Sequence, residues 1–522
     1  MNNSLARIPM PQNETILSYA PGSHEREALK ATLKQMGSTV TDIPMFIGGE
    51  EVRTGKYGDC RPPHDHQRLI GRYHMGTRKH AADAVRAALK ARRSWAATPF
   101  HERAAVFLRA AELLAGPYRQ VLNAATMLCQ SKSAYQAEID SACELIDFWR
   151  FNPAFAEDLY SHYAVTPFNF TAIAGNLPTA PALMGNTVVW KPAASTMYSG
   201  HFILQLLRQA GLPDGVINMV SGPSSDISDV LLKHPDLAGV HFTGSTGVFN
   251  SMWKIVADGL PSLRTYPRLV GETGGKDFVV AHPSADPVAV ATALVRGAFE
   301  YQGQKCSAAS RAYIPDSLWP KVKKAMEDQL GRVKMGDVED FSNFVNAVID
   351  RRAYESITAY IKAVKPRDGA KIIFGGKFSD EKGYFIEPTV IKASRPDYKT
   401  MCEEIFGPVL TVHTYADKAW SQTLKTVDQT SPYALTGAVF ADDRAALREA
   451  ADVLVNAAGN LYLNDKPTGA TVGQQPFGGA RGSGTNDKAG SFLNLARWTS
   501  ARNIKENFVP PTDFPYPFMA KP

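Results

Sequence analysis

Apolar positions recur at helical spacing over 79–95 and 101–114. Ile139, Cys143, Ile146 and Trp149 continue that spacing through 136–151, so the first third of the chain is expected to be helical after an irregular start. From Thr187 the texture changes. Short β-rich runs at 187–190, 216–220 and 239–242 are separated by helical stretches at 200–210 and 226–233. Strands alternating with helices imply right-handed crossovers and a parallel sheet, the doubly wound pattern of nucleotide-binding domains. A second alternating region follows. Strands are expected at 278–281, 312–314, 409–415, 437–440 and 460–463, and helices at 290–301, 318–333 and 353–364. Two α/β units joined near Gly271 would leave a cleft between them, where ligands usually bind. The tail, 508–522, is rich in proline and aromatic residues and cannot form a regular helix.

At 522 residues the chain exceeds what one core needs, so at least two domains are expected. The boundaries predicted are 1–270 for a helical region with a nucleotide-binding domain, 271–480 for a catalytic domain and 481–522 for a C-terminal segment. A content of 44% hydrophobic and 21% charged residues is that of a soluble globular protein. No apolar run of about 18 residues exists, which argues against a transmembrane helix. Residues 1–13 lack the apolar core of a secretory signal and carry a lone arginine, Arg7, where a mitochondrial presequence would carry more arginine and serine, so the cytoplasm is expected, with the mitochondrial matrix as the alternative. Five widely spaced cysteines without a Cys-x-x-Cys pair or a histidine cluster argue against a disulfide scaffold and a metal site. The net charge of +6 is small and scattered, which favours anionic small ligands over nucleic acid.

Candidate chemistry centres on Gly303-Gln-Lys-Cys-Ser-Ala308 and Gly271-Glu-Thr-Gly-Gly-Lys-Asp277. A lone cysteine is inert by default, but small neighbours leave room for a substrate, and a thiolate near a base is a strong nucleophile. Cys306 is that candidate. Glu272, between glycines, would be the base that activates water once a thioester exists. Asn169, in Thr-Pro-Phe-Asn-Phe, either forms a turn or offers its amide to an oxyanion. Phe242-Thr-Gly-Ser-Thr-Gly247 follows an expected strand and opens a helical run at 248–257, so Gly244 and Ser245 suit a phosphate at a helix N-terminus. Lys191, in Trp-Lys-Pro, could reach ribose hydroxyls or phosphate.

Together these segments resemble the aldehyde dehydrogenase superfamily from about Pro44 to Glu506. Six motifs stand in the family's order: those around Asn169, Lys191, Ser245, Glu272 and Cys306, and Glu403-Glu-Ile-Phe-Gly-Pro-Val409. The resemblance implies that the cysteine attacks an aldehyde, that hydride passes to NAD, and that the glutamate activates the hydrolytic water. It implies that Lys191, Phe242, Gly244, Ser245, Glu404 and Phe406 hold the cofactor. Gln136-Ala-Glu-Ile-Asp140, Thr468-Gly-Ala470 and Gly473-Gln-Gln-Pro-Phe-Gly-Gly-Ala-Arg481 are similar to the branch that oxidises L-glutamate γ-semialdehyde, formed from Δ1-pyrroline-5-carboxylate in proline breakdown. By that likeness the amides of Gly469 and Ala470 and the hydroxyl of Ser307 grip the α-carboxylate, and Phe170 and Phe477 flank the methylene chain. Another semialdehyde, such as succinic semialdehyde, is the second enzymatic reading. A catalytically impaired nucleotide-binding relative is the third.

The sequence departs from the family at two places. After Lys191-Pro192 the run is Ala193-Ala-Ser-Thr196, without the acidic residue that many relatives use on the adenosine ribose, so NADP use stays open beside NAD. The segment 151–165 is too short for both the usual subunit-bridging hairpin and a full strand. A homo-oligomer is usual for the family; the shortened segment predicts a smaller assembly.

Overall fold

The computed structural model describes residues 8–156, 168–500 and 504–514. Most of the shortened segment (157–165), the first seven residues and the end of the tail (515–522) lie outside the described residues. The first part of that segment is helical, because the helix Leu145–Ala156 runs through Asn152 and Pro153, and Asn152 Nδ2 donates to Asn176 Oδ1 at 2.8 Å.

The helices expected from apolar spacing form with small changes at their ends: Arg78–Ala97 and Phe100–Ala115. The third is not regular. It comprises Ala134–Ala137, a wide π turn over Glu138–Glu144 and then Leu145–Ala156. On the nucleotide side, Val188–Trp190 and Ile217–Met219 pair in parallel, and so do Gly239–Thr243 and Arg268–Glu272. Two strands that the spacing did not reveal, Met45–Ile47 and Glu50–Val52, extend the first pair into a mixed four-stranded sheet. The helix Thr171–Leu183 packs against both Val188–Trp190 and Gly239–Thr243.

The second sheet has seven strands. Their order is Ala370–Phe374, Thr389–Ala393, Val409–Tyr415, Ala309–Pro315, Asp277–Ala281, Thr436–Phe440 and Asn460–Leu463, all parallel to their neighbours except the first pair. Residues alternate between its faces. Phe278 and Val280 join Tyr313 and Val439 in one core; Val279 and Ala281 join Ala312, Ile314, Val412 and Ala438 in the other. Burial on both faces explains why these strands read as continuous apolar runs. Of the tail, the described part carries no helix, and Phe508 is 86% exposed.

One buried ion pair fixes the approach to the cleft. Lys132 Nζ lies 2.6 Å from Asp140 Oδ2, and Asp140 also accepts the main-chain N–H groups of Thr171 and Ala172, each at 2.9 Å. The carboxylate thus holds the first turn of the helix that follows Asn169 and Phe170. Removing one partner of such a pair strands the other charge in a dry site. Asp140→Ala is expected to cost about 3–5 kcal/mol in urea unfolding.

Candidate active site

The helix Pro287–Phe299 delivers the chain to a turn, Glu300–Gly303, in which Tyr301, Gln302 and Gly303 have φ of 50°, 55° and 65°. Left-handed backbone is costly for the first two, and side-chain hydrogen bonds offset that cost. Gln302 Nε2 donates to the carbonyls of Ser131 and Ala347 at 3.1 and 2.7 Å, and its Oε1 accepts from Asn346 N at 2.9 Å. Gln304 Oε1 accepts from Ile349 N at 2.8 Å. A Cβ at Gly303 would sit 2.3 Å from the Gly407 carbonyl oxygen, so no larger residue fits. Cys306 follows, 6% exposed, just before the strand Ala309–Pro315.

Strand pairing brings the second motif beside it. Asp277 pairs with Ala309 across a bulge, one residue out of step with Phe278–Arg311 and the parallel ladder beyond, so the segments entering the two strands, 272–276 and 306–308, are neighbours at one end of the sheet. The approach is close: a Cβ at Gly275 would lie 2.1 Å from the Cys306 carbonyl oxygen. Glu272 ends the strand Arg268–Glu272, and its Oε2 accepts the Gly479 N–H at 3.1 Å. Glu404 Oε1 accepts the Gly275 N–H at 2.8 Å, with no room for a side chain on Gly274 beside its other oxygen.

The electrostatics of this corner run one way. Burial pushes the Cys306 thiol well up, and the nearby carboxyls of Asp277, Glu272 and Glu404 push it further. Burial likewise raises Glu272 well above the usual carboxylate range and raises Glu404, against the pull of the Gly479 and Gly275 amides. The resting sulfur is therefore a thiol, and its reaction needs a proton acceptor close by.

Asn169 is buried, and its Nδ2 faces the Gln304 carbonyl at 3.5 Å, which places the amide against the cysteine loop. Phe168, beside it, meets Phe406 edge to face at 5.8 Å, and Phe406 holds φ 58°. Phe170 carries Lys132 Nζ 4.2 Å above its ring. Ser307 Oγ and Thr468 Oγ1 share a hydrogen bond of 2.8 Å, which ties the cysteine segment to the turn of Gly469 (φ 102°) and Ala470. Phe477 exchanges two main-chain hydrogen bonds with Ala489, at 2.9 and 2.7 Å, next to the Gly478–Gly479 stretch on Glu272. On the nucleotide side, Phe242 stacks on Phe249 at 5.5 Å, Gly244 N donates to the Glu272 carbonyl at 3.1 Å, and Ser245 Oγ caps the helix Thr246–Gly259 by accepting from Val248 N. Lys191 stands apart. Burial lowers its ammonium below the usual lysine value, and among the described residues its Nζ reaches only the Pro192 carbonyl, at 3.5 Å.

Several groups of the corner carried no sequence signal of their own. Gly275 and Thr468 lie inside motifs whose other members drew attention. Lys132, in the link between the helices Arg119–Gln130 and Ala134–Ala137, becomes recognisable only when the chain folds over it; at Glu144, burial, with the charge of Asp140 beside it, pushes the carboxyl up to about 8.

A buried cysteine behind a left-handed turn, a glutamate on a neighbouring strand end and a capped helix behind a glycine turn come together on an α/β fold of the oxidoreductase class, and the comparisons agree. The aldehyde dehydrogenase family model matches residues 52–504, and the chain belongs to that family. It is 48% identical to a mitochondrial Delta-1-pyrroline-5-carboxylate dehydrogenase of Dictyostelium discoideum, over 99% of this chain and 97% of the relative. That alignment spans 541 residues against the 522 here, so the relative has residues that this chain lacks. A human protein of the same name is 44% identical over 97% of this chain and 94% of its own length. Among solved structures, the Delta-pyrroline-5-carboxylate dehydrogenase of Mycobacterium tuberculosis bound with NAD superposes with a TM-score of 0.95 at 51% identity, covering 99% of this chain and all of that one. No helix among the described residues is long and apolar enough to cross a membrane.

The contact at Gly275 is open to a direct check. Gly275→Ala must displace the Cys306 carbonyl, and a displacement of about 1 Å is expected to lower kcat by about a hundredfold, read in steady-state turnover.

Proposed function

We propose that this protein oxidises L-glutamate γ-semialdehyde, the open form of Δ1-pyrroline-5-carboxylate, to L-glutamate with reduction of NAD, the second step of proline degradation. The observation that carries this reading is the Ser307–Thr468 hydrogen bond, which ties the turn of Gly469 and Ala470 to the segment that carries the thiol. The names of the relatives support it. A short zwitterion is well held by amides at its carboxylate and aromatic walls along its methylenes, here Phe170 and Phe477, with its aldehyde left at Cys306.

The residues fit the cofactor. Gly244, Ser245 and the helix behind them suit a diphosphate, a Cβ at Gly244 would strike the Phe242 ring at 2.6 Å, and Lys191 is a buried cation without a carboxylate partner among the described residues. Glu404 and Phe406 would hold the nicotinamide ribose and ring. Bound NAD would supply the acceptor for the hydride that the substrate carbon gives up. The Cys306 sulfur bonds to the aldehyde carbon as its proton leaves toward Glu272 or water, and the Asn169 amide with the Cys306 N–H steadies the oxyanion. After hydride loss the carbon is a thioester. Glu272, ionised, takes a proton from water; the water oxygen attacks the carbonyl, the C–S bond breaks and glutamate leaves. The Ala193–Thr196 run has no carboxylate to repel a 2′-phosphate, which keeps NADP as the alternative acceptor.

We assign a smaller assembly than the family's usual homo-oligomer on the shortness of 151–165, and the cytoplasm as the site of reaction, with the matrix as the alternative that the mitochondrial names favour. Light scattering that gives a large stable oligomer would refute the first.

NADH fluorescence with glutamate semialdehyde and succinic semialdehyde, each with NAD and NADP, tests the substrate; signal with the first aldehyde only is expected. Silence with both, despite measurable nucleotide affinity, overturns the reading. Cys306→Ala is expected to bind NAD without turnover. Because the Glu272 carboxyl is raised and acts only when ionised, deacylation should slow as pH falls through its raised pKa. Glu272→Gln should remove that limb and accumulate an acyl-enzyme visible by mass spectrometry.

A further inference from the structure

Asp277 opens the strand Asp277–Ala281 at the centre of the seven-stranded sheet and is 2% exposed. Its two oxygens are treated differently. Oδ1 accepts the N–H and the hydroxyl of Thr436 at 2.7 and 2.9 Å. Oδ2 is buried with no hydrogen-bond partner among the described residues. Near it is another acceptor: the point where a Cβ of Gly275 would stand is 2.5 Å from Asp277 Oδ2 and 2.1 Å from the Cys306 carbonyl oxygen, so both oxygens border the same small gap. Two unprotonated oxygens bordering one dry gap repel, and a buried oxygen loses its hydrogen bond to water.

The surrounding charges offer no other donor. Lys276 precedes Asp277 directly, so its side chain leaves the backbone on the opposite side, and its Nζ is itself buried and unpartnered. Arg311, on the neighbouring strand, is occupied by the Lys276 carbonyl, Tyr313 Oη and the Val427 carbonyl at 2.7, 3.1 and 3.0 Å. Tyr462, on the strand Asn460–Leu463, has a buried hydroxyl with no partner and does not reach Oδ2 within hydrogen-bond distance. Glu404 and Glu272 accept the Gly275 and Gly479 N–H groups, and neither they nor the Cys306 thiol makes a hydrogen bond to Oδ2. A protonated carboxyl resolves the conflict, because it turns Oδ2 from an acceptor into a donor.

We propose that Asp277 is a positioning residue for the nucleophile: held as the neutral acid, it donates Oδ2–H to the main-chain carbonyl of Cys306 and so fixes where the thiol stands. This rests on Cys306 being the nucleophile. Burial, then the charge of Glu404, pushes the carboxyl up to about 8 against the two Thr436 hydrogen bonds and Arg311, so the acid form prevails at neutral pH. Ionisation at higher pH replaces the hydrogen bond with repulsion and sets a full negative charge beside the sulfur. The loop loosens and the thiol becomes harder to ionise, in the pH range where thiols ordinarily gain reactivity.

The test compares the full-length protein with Asp277→Asn and Asp277→Ala across the pH range around 8. Asparagine keeps the Oδ1 acceptor and supplies an N–H donor at every pH. Three readouts are taken: single-turnover NADH formation, alkylation of Cys306 by iodoacetamide, and Tm. Wild-type turnover and alkylation should fall behind those of Asp277→Asn above about pH 8 and match them below it, while Asp277→Ala should be slower at all pH values by about tenfold. The sign for stability follows from the raised folded-state pKa. Stability from the neutral acid is complete below the carboxyl's unfolded value and is lost as pH rises toward about 8, so the Tm advantage of Asp277→Asn should open over that window. Parallel pH profiles for wild type and Asp277→Asn in alkylation and Tm would overturn the proposal. Should no form turn over glutamate semialdehyde, the substrate assignment fails, while alkylation and melting still decide the role of Asp277. Should Asp277→Ala fail to fold, the wild-type and asparagine pair decides alone.

Discussion

The parallel pairing of the strands Asp277–Ala281 and Ala309–Pro315, which ends in a bulge at Asp277 and Ala309, is the constraint on which the candidate site depends. Residues 272 and 306 lie far apart in the chain, and nothing local draws them together. Parallel strands need crossovers, and the helix Pro287–Phe299 supplies this one, so the pairing is secured by burial of both sheet faces rather than by any contact at the site. A slip of one residue would turn every side chain of the strand to the opposite face, at a cost spread over the whole core. Precision at the sulfur is in this sense a property of the sheet.

Around that sulfur the protein gathers carboxyl groups instead of cations. Asp277, Glu272 and Glu404 all raise the thiol, and burial raises the carboxyls in turn. Where many cysteine nucleophiles are prepared as thiolates by a histidine or a helix N-terminus, this corner keeps its groups neutral and close. A neutral set costs less to bury than a charged one, and proton transfer within it is short. It also keeps the resting thiol less reactive toward stray electrophiles.

The legible part of this architecture is the part written in spacing and in short motifs. Several helices and buried strands declared themselves within a few residues of their ends, and Val409–Tyr415 and Asn460–Leu463 coincide with the expected spans, whereas the strands Arg268–Glu272 and Thr389–Ala393 and the helix Arg119–Gln130 were not expected. The short strands Met45–Ile47 and Glu50–Val52 were not expected either, because three residues carry too little pattern to separate from a loop. The π turn at Glu138–Glu144 was read as continuous helix, since one extra residue per turn hardly disturbs apolar spacing over so short a stretch. At the site, the motifs exposed Cys306, Glu272 and Asn169, whereas the Thr468 hydroxyl and the Lys132–Asp140 pair gain meaning only from partners distant in sequence.

The Ser307–Thr468 hydrogen bond has a further consequence. It joins the turn proposed to hold a carboxylate to the segment that carries the sulfur, so the span between the two is set by the protein and not by the ligand. Such a site works as a ruler. A dicarbon-shorter or longer homologue can satisfy one end only, and selection among chemically alike molecules then falls to their length, with side-chain affinity a lesser influence.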